Sequence, residues 1–399
     1  MHKKTAYYKS LNQELKTYHK AIPSLLLDLD RLDKNLEQLQ TSLGKEQAFR
    51  IVVKSLPSPH LVQYIREKAN TNKLMLFHQP FLSQLVKKGD EKVDILLGKP
   101  MPIKTVTYFY DHLEVANPNF DAFAQIQWLV DTEERIKQYI QLAQKLGRPL
   151  KLNIEIDVGL HRGGFSDRAA LRKALQLFHL NKAHISFSGF MGYDPHVVKL
   201  PAFIRSQKKA LQMANSFYKE FKELLKQEFP KFWSESLTFN GAGSPTMALH
   251  KSDSPLNDIS LGSALVKPTT FDIPSLTSFL PASFIATPVL KKFEGTTLPG
   301  IEKAKGIFNF LSKKNRTSFF IYGGYWKADY IYPEGIQQNA IFGASTNQTM
   351  LNAPPDSDLE VDDFVLLRPH QSEFVFLQFG KILTVRNRKI IGEWEILKN

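Results

Sequence analysis

Four stretches of this chain carry side chains whose types and spacing can do chemistry. Lys54 closes the run Phe49-Arg50-Ile51-Val52-Val53 and precedes Ser55-Leu56-Pro57. A lysine at the end of a buried strand loses solvation, which favours the neutral amine, a nucleophile and an imine former. The plain alternative is a lysine whose stem snorkels out or whose head pairs with a carboxylate. A second stretch, Glu155-Ile156-Asp157-Val158-Gly159-Leu160-His161-Arg162, ends another apolar run. Its Arg162 suits either a carboxylate or a heteroaromatic nitrogen. Gly192-Tyr193 ends a third run with an aromatic ring. In the fourth, Asn240-Gly241-Ala242-Gly243-Ser244 leads into a short helical stretch with Met247 and Ala248. Glycines there let backbone N–H groups approach an anion, with the Ser244 hydroxyl as a further donor. Taken alone, that pattern is also an ordinary turn. His78, His161 and His196 have no evident partner set and read as structural or surface histidines.

The elements that must position these residues alternate along the chain. Short apolar runs at residues 24–28, 50–54, 74–77, 93–96, 126–130, 152–157, 185–191, 237–240 and 258–261 are separated by amphipathic stretches at 31–43, 59–69, 133–146, 167–180 and 202–226. Thr132-Glu133-Glu134-Arg135 has the form of a helix start, a capping hydroxyl followed by acidic residues. Strand–helix alternation implies a parallel sheet with helical crossovers. Eight runs after the first close a (β/α)8 TIM-type barrel, an α/β fold. The competing open doubly wound sheet is disfavoured by the strand count and the absence of a GxGxxG motif. In a parallel barrel the functional groups gather at the C-terminal strand ends, which is where all four stretches fall. Beyond about Phe271 the helical periodicity fades. Runs at 318–322, 364–367, 374–379, 381–385 and 389–395, separated by Gly323-Gly324, Pro354-Pro355 and Asn387, read as a C-terminal antiparallel β domain. The division expected is residues 1–275 for the barrel and 276–399 for the β domain, with the first strand packing on the latter.

Composition narrows the function classes. The chain has 399 residues, 43% hydrophobic and 23% charged, as globular proteins do. It contains no cysteine, which excludes disulfides, thiolate metal sites and cysteine nucleophiles. Its 52 Lys+Arg against 39 Asp+Glu leave a net charge of +13. These cations are scattered in short pairs, Lys87-Lys88, Lys208-Lys209, Lys291-Lys292 and Lys313-Lys314, so they describe a solvated surface and no nucleic-acid stripe. Residues 1–20 lack the apolar stretch of a secretory signal, and no run reaches the roughly 18 apolar residues of a membrane span. A soluble cytoplasmic protein without nucleic-acid or membrane partners is expected.

An imine-forming lysine, an arginine, an aromatic ring and an anion cup at adjoining strand ends together describe a pyridoxal 5'-phosphate site. At this point the sequence resembles the alanine-racemase-like barrel enzymes, and within them the D-threonine aldolase and D-serine dehydratase branch. The opening Ile22-Pro23-Ser24-Leu25-Leu26-Leu27-Asp28-Leu29-Asp30 with Asn35 is similar to that of the family. Arg50-Ile51-Val52-Val53-Lys54-Ser55 keeps the Arg and Lys of its Arg-Pro-His-x-Lys-Thr. Asp157-Val158-Gly159-Leu160-His161-Arg162-Gly163-Gly164 matches its Asp-Val-Gly-x-x-Arg-x-Gly. Gly189-Phe190-Met191-Gly192-Tyr193 and Gly241-Ala242-Gly243-Ser244 match its tyrosine and phosphate motifs, and residues 258–263 its last barrel strand, where Asp258 replaces the usual Glu. The resemblance implies that Lys54 holds the cofactor aldehyde as an imine, that Arg162 partners the ring nitrogen, and that Tyr193 adjoins the cofactor. Asn240, Gly241, Gly243 and Ser244 would complete its binding. A homodimer with the site near the interface is also implied.

Two departures bear on the reaction. The branch binds a divalent metal through His-x-Asp or His-x-Cys in the β domain, and this chain has Arg368-Pro369-His370-Gln371-Ser372-Glu373. His370 is retained, as a metal ligand or a general base, but Ser372 is a poor ligand. Glu373 would serve only if a bulge turned it to the same strand face. Tyr322-Gly323-Gly324-Tyr325-Trp326-Lys327 also departs from the family's Asp-x-Gly. The expected function is aldol cleavage of a D-3-hydroxy amino acid. The alternatives are an amino acid racemase of the same fold and a non-catalytic pyridoxal-phosphate-binding protein.

Overall fold

The computed structural model describes residues 2–18, 20–87, 92–114, 118–201, 203–295, 300, 317–354 and 357–398. Lys88, Ala202, Lys313, Lys314 and Pro355 lie outside them. The chain divides into two compact units: residues 36–264, 273–276 and 397–399 form one, and 1–35, 265–272 and 277–396 the other.

The first unit is a closed barrel of eight parallel strands. They are β2 (Ala48–Val52), β3 (Lys73–Leu76), β4 (Asp94–Leu97), β5 (Ile126–Val130), β6 (Leu150–Glu155), β7 (Ile185–Gly192), β8 (Thr238–Gly241) and β9 (Asp258–Leu261). The helices between them start where capping chemistry says they should. Ser58 caps Pro59–Ala69, Thr132 caps Glu133–Leu146 by accepting from Arg135 N–H at 3.2 Å, and Asp167 caps Arg168–Leu180. The longest helix among the described residues, Gln207–Glu228, sends Tyr218 between β7 and β8. Its hydroxyl lies 2.8 Å from Phe190 O and 2.9 Å from Asn240 O.

At the N-terminal end the barrel interior is polar. Arg50, Lys73, Asp94 and Asp258 form one ion cluster, and Gln127 Nε2 donates to Asp94 Oδ1 at 2.8 Å. Asn153 Nδ2 reaches Gln127 Oε1 at 3.2 Å, so alternate residues of β5 and β6 face inward.

The second unit is a nine-stranded sheet. It contains β1 (Ser24–Asp28), β10 (Ser283–Glu294), β11 (Thr317–Tyr322), β12 (Ala328–Tyr332), β13 (Gln337–Gln338), β14 (Gln348–Ala353), β15 (Phe364–Pro369), β16 (Lys381–Arg386) and β17 (Lys389–Glu395). Among the described residues its strand pairings are antiparallel except β1 with β16. Helix α1 (His2–Thr17), for which composition gave no element, buries Tyr7, Leu11 and Leu15 against Leu26, Phe284 and Phe364. That spacing of four is a one-face helical signal inside an otherwise basic segment. The run at 374–379 is not a strand: a short helix, Ser372–Phe376, occupies its start. Five residues of amphipathic sequence do not distinguish the two periods. Among the described residues no helix is long and apolar enough to cross a membrane.

Candidate active site

Barrel closure sets the geometry of the site. β2 pairs with β9, β9 with β8, β8 with β7 and β7 with β6, all in parallel. The C-terminal ends of these five neighbouring strands carry Lys54, residues 262–264, residues 241–244, Tyr193 and Arg162. Lys54 is thereby brought round the barrel to the same sector as residues far along the chain.

Lys54 lies one residue into a single 3-10 turn, Val53–Ser55, that follows β2. It is half-buried, with Nζ 4.6 Å from the centre of the Phe77 ring at the end of β3. Next to it, Ser55 is buried and accepts from the Ser263 hydroxyl at 3.0 Å. Gly262 leaves no room for a side chain, since a Cβ there would stand 2.6 Å from Val52 O. Ala264 N–H donates to Ser244 Oγ at 3.0 Å, tying the loop after β8 to the one after β9. Ser244 is buried and retains its hydroxyl proton for donation. Ala242 holds a left-handed backbone (φ +61°), unusual for alanine and located at the floor of this cup.

Tyr193 belongs to the cup. A Cβ on Gly243 would stand 2.8 Å from Tyr193 Cε2 and 3.6 Å from its hydroxyl. The guanidinium of Arg162 sits 5.2 Å from the centre of the same ring. Arg162 is exposed, on a loop organised by Asp157. Asp157 accepts from the N–H groups of Gly159 and His161, each at 2.9 Å, and pairs with the His161 ring at 2.8 Å. Partial burial opposes its charge, but those bonds hold the carboxyl below its usual range. Asn240 faces a different task. Its amide donates to Asp258 Oδ1 at 2.6 Å and Ser260 Oγ at 2.7 Å, inside the barrel.

Several groups at this rim carry no motif. Asp194, buried after Tyr193, accepts from Thr246 Oγ1 and His250 Nε2, both at 2.7 Å, and His250 Nδ1 lies 3.1 Å from Ser254 Oγ. This network anchors the end of the cup loop to the end of β7. Glu155, on the last turn of β6, has its carboxyl raised to about 7 by burial, with Asp131 and Asp157 adding and Arg162 opposing. The signal available for Asp131 and Glu155 was position alone, at the ends of the runs that became β5 and β6. His196 packs against Gly159, and burial pushes its imidazole down; His78 stands edge-on to Phe81.

The metal question belongs to the β unit. His370 Nε2 donates to Asp329 Oδ1 at 2.9 Å. Ser372 is fully buried at the start of the short helix, so the question of which strand face Glu373 takes does not arise. Arg368 is bound bidentately by Asp272 at 2.7 and 2.8 Å. Among the described residues no three His, Asp or Glu side chains gather as metal ligands.

Residues 27–269 match the family of the alanine racemase N-terminal domain. The chain belongs to that family. This family of enzymes includes an alanine racemase of Limosilactobacillus reuteri (strain DSM 20016), 28% identical over 171 residues. That alignment spans 42% of this chain and 42% of the relative. The fold extends further than the sequence match. D-threonine aldolase from Filomicrobium marinum superposes with a TM-score of 0.70 at 16% identity, covering 95% of this chain and 97% of that one. D-threo-3-hydroxyaspartate dehydratase from Delftia sp. HT23 gives 0.72 at 13%, covering 97% and 99%. Alanine racemase of Clostridium difficile 630 gives 0.70 at 14%, covering 94% and 99%. At these identities the likeness is one of fold, shared by members of the alanine racemase family with different reactions.

Proposed function

We propose that this member of the family is a pyridoxal-phosphate-dependent enzyme acting on an amino acid. The observation that carries the reading is the rim on which Lys54 adjoins the glycine-lined, hydroxyl-rich cup formed after β8 and β9. Its donors, the Ser244 hydroxyl and backbone N–H groups, include no carboxylate and suit a phosphate. Gly243 and Gly262 leave the close approach that a Cβ would block. The residues therefore fit the cofactor.

In this reading Ser244, Gly241 and Gly243 hold the phosphate, and Tyr193, whose ring edge borders Gly243, assists them. Asn240 supports from below by bonding Asp258 and Ser260. Lys54 Nζ would hold the aldehyde end of the cofactor and would serve as the group that moves a proton at the substrate Cα. Arg162 stands exposed on the rim beside the Tyr193 ring, where it would suit a substrate carboxylate or another anionic oxygen. When bound, pyridoxal phosphate supplies the electron withdrawal from Cα that no side chain here provides.

Cleavage of a D-3-hydroxy amino acid is the first reaction to test. Racemisation is the second reading, favoured by one observation: with Ser372 buried, His370 lacks the second ligand of the metal pattern. The assembly expected from the resemblance is a homodimer, which sedimentation measures. A yellow protein whose visible band disappears on borohydride treatment and is missing in Lys54→Ala is the expected result; a colourless protein that takes up no pyridoxal phosphate overturns the reading. Incubation with D-threonine, D-serine and L- or D-alanine then separates cleavage, racemisation and binding without turnover.

A further inference from the structure

Two strand registers bring three residues together at the C-terminal rim of the barrel. The pairing of β2 with β3 sets Val52 beside Met75, so Lys54 and Phe77, each two residues further on, leave the barrel as neighbours. The pairing of β3 with β4 sets Leu76 beside Leu97, so Phe77 adjoins Gly98, whose N–H donates to Leu76 O at 2.8 Å. Phe77 itself lies in the two-residue link between β3 and the helix Gln79–Lys87. That link is fixed at its far end, where Leu82 N–H donates to His78 O at 3.1 Å. The half-buried ring of Phe77 has two close neighbours. Lys54 Nζ stands 4.6 Å from its centre, inside the reach of a cation–π contact. The ring also fills the place of a side chain on Gly98, where a Cβ would stand 2.5 Å from Phe77 Cε1 and 2.8 Å from Met75 Sδ. Gly98 is not among the glycines with a left-handed backbone, so it serves here by the space it leaves and not by its conformation.

We propose that Phe77 is a positioning residue: the face of its ring holds the Lys54 amine in place at the barrel rim, and Gly98 is the seat that lets the ring lie there. The negative face of the ring attracts an ammonium head and restricts where the flexible four-carbon stem can carry it. Any side chain at position 98 has to displace either the ring or the Met75 sulfur, and with the ring goes its hold on Lys54. The inference deepens the function proposed above, since a held amine speeds capture of pyridoxal phosphate only where Lys54 is the residue that receives it.

The first readout needs no cofactor. In cofactor-free protein labelled with carbon-13 at lysine Cε, the Lys54 methylene protons, assigned by their loss in Lys54→Arg, are expected upfield of the other lysines, because they lie over a ring face. Phe77→Leu, which keeps apolar volume, should return them to the common position. Phe77→Tyr, which keeps the ring, should leave them upfield. Gly98→Ala changes neither side chain and should diminish the upfield shift by moving the ring. The second readout is the rate at which the visible band appears when pyridoxal phosphate is added. It should fall about two- to fivefold in Phe77→Leu, the worth of an exposed cation–π contact, and recover in Phe77→Tyr. A packing role alone would lower the melting temperature and leave that rate unchanged. A Lys54 signal among the other lysines, or an upfield one unmoved by both Phe77→Leu and Gly98→Ala, overturns the proposal. An unchanged capture rate in Phe77→Leu overturns it too. An upfield signal that responds as expected, in a protein that never takes up pyridoxal phosphate, sustains the hold of Phe77 on Lys54 and overturns the assigned function instead.

Discussion

Asp258 accepts two hydrogen bonds from one guanidinium, Arg50 Nε at 2.8 Å and Nη2 at 2.9 Å, where both side chains are fully buried. The two residues sit on β9 and β2, the strands whose pairing closes the barrel between the cup and Lys54. Removing Asp258 leaves the buried Arg50 guanidinium with the longer contact to Asp94, at 3.2 Å, as its carboxylate partner. Asp258→Ala is expected to destabilise the barrel by up to about 3 kcal/mol, the low end for breaking a buried ion pair because Asp94 remains, read by denaturant unfolding.

The same cluster predicts a direction in acid. Burial opposes the charge on Asp94, but Arg50 outweighs it, with help from Lys73 and Lys151, and holds the carboxyl at about 2. A depressed native value stabilises the fold fully above the ordinary carboxylate value of about 4. That contribution is lost as pH falls through about 2. Asp94→Asn should therefore flatten the acid limb of a stability-versus-pH curve below about pH 4.

Gly243 is the residue on which the Tyr193 ring rests. Gly243→Ala should displace that ring and weaken retention of pyridoxal phosphate by about tenfold or more, equivalent to about 1.4 kcal/mol. Equilibrium dialysis reads the affinity, and an unchanged melting temperature would separate this from unfolding.

Thr246 Oγ1 supplies one of the bonds that satisfy buried Asp194. Thr246→Val keeps the shape and strands that carboxylate oxygen, at an expected cost of about 1–3 kcal/mol in stability. Because the network anchors the cup loop to β7, cofactor dissociation should also accelerate, which a competition assay with apo-acceptor measures.

Ser372 is enclosed and His370 is engaged with Asp329. Whatever turnover the substrate screen finds is expected to survive dialysis against a chelator. Activity lost on chelation and restored by Mn²⁺ would reinstate a metal-dependent reaction.

Much of the barrel was legible because its signals are local. A β-rich run has to be buried on both faces in a parallel sheet, and Thr132 and Asp167 announce helix starts by their own hydrogen bonds. The run at 126–130 and the helix at 133–146 accordingly fall on β5 and Glu133–Leu146 as observed. The β unit was less legible. The 12-residue β10 alternates poorly because its first seven residues are buried on both sides while its last five are exposed. The segment after Ser372 is too short for its period to be read.

The same division holds for the site. Residue types at strand ends, Lys54, Arg162, Tyr193 and the stretch Gly241 to Ser244, were determined by the sequence alone, since alternation and glycine content are properties of a few neighbouring residues. Only the tertiary structure decided which of them meet. Closure of β9 on β2 brings the cup to Lys54, and β5–β6 register puts Asp131 beside Glu155. It also turned the Asn240 amide towards Asp258 and Ser260, and set the edge of the Tyr193 ring against Gly243. These are long-range relations, set by strand registration and by which buried polar groups must find partners, and no window of the sequence contains both ends of any of them.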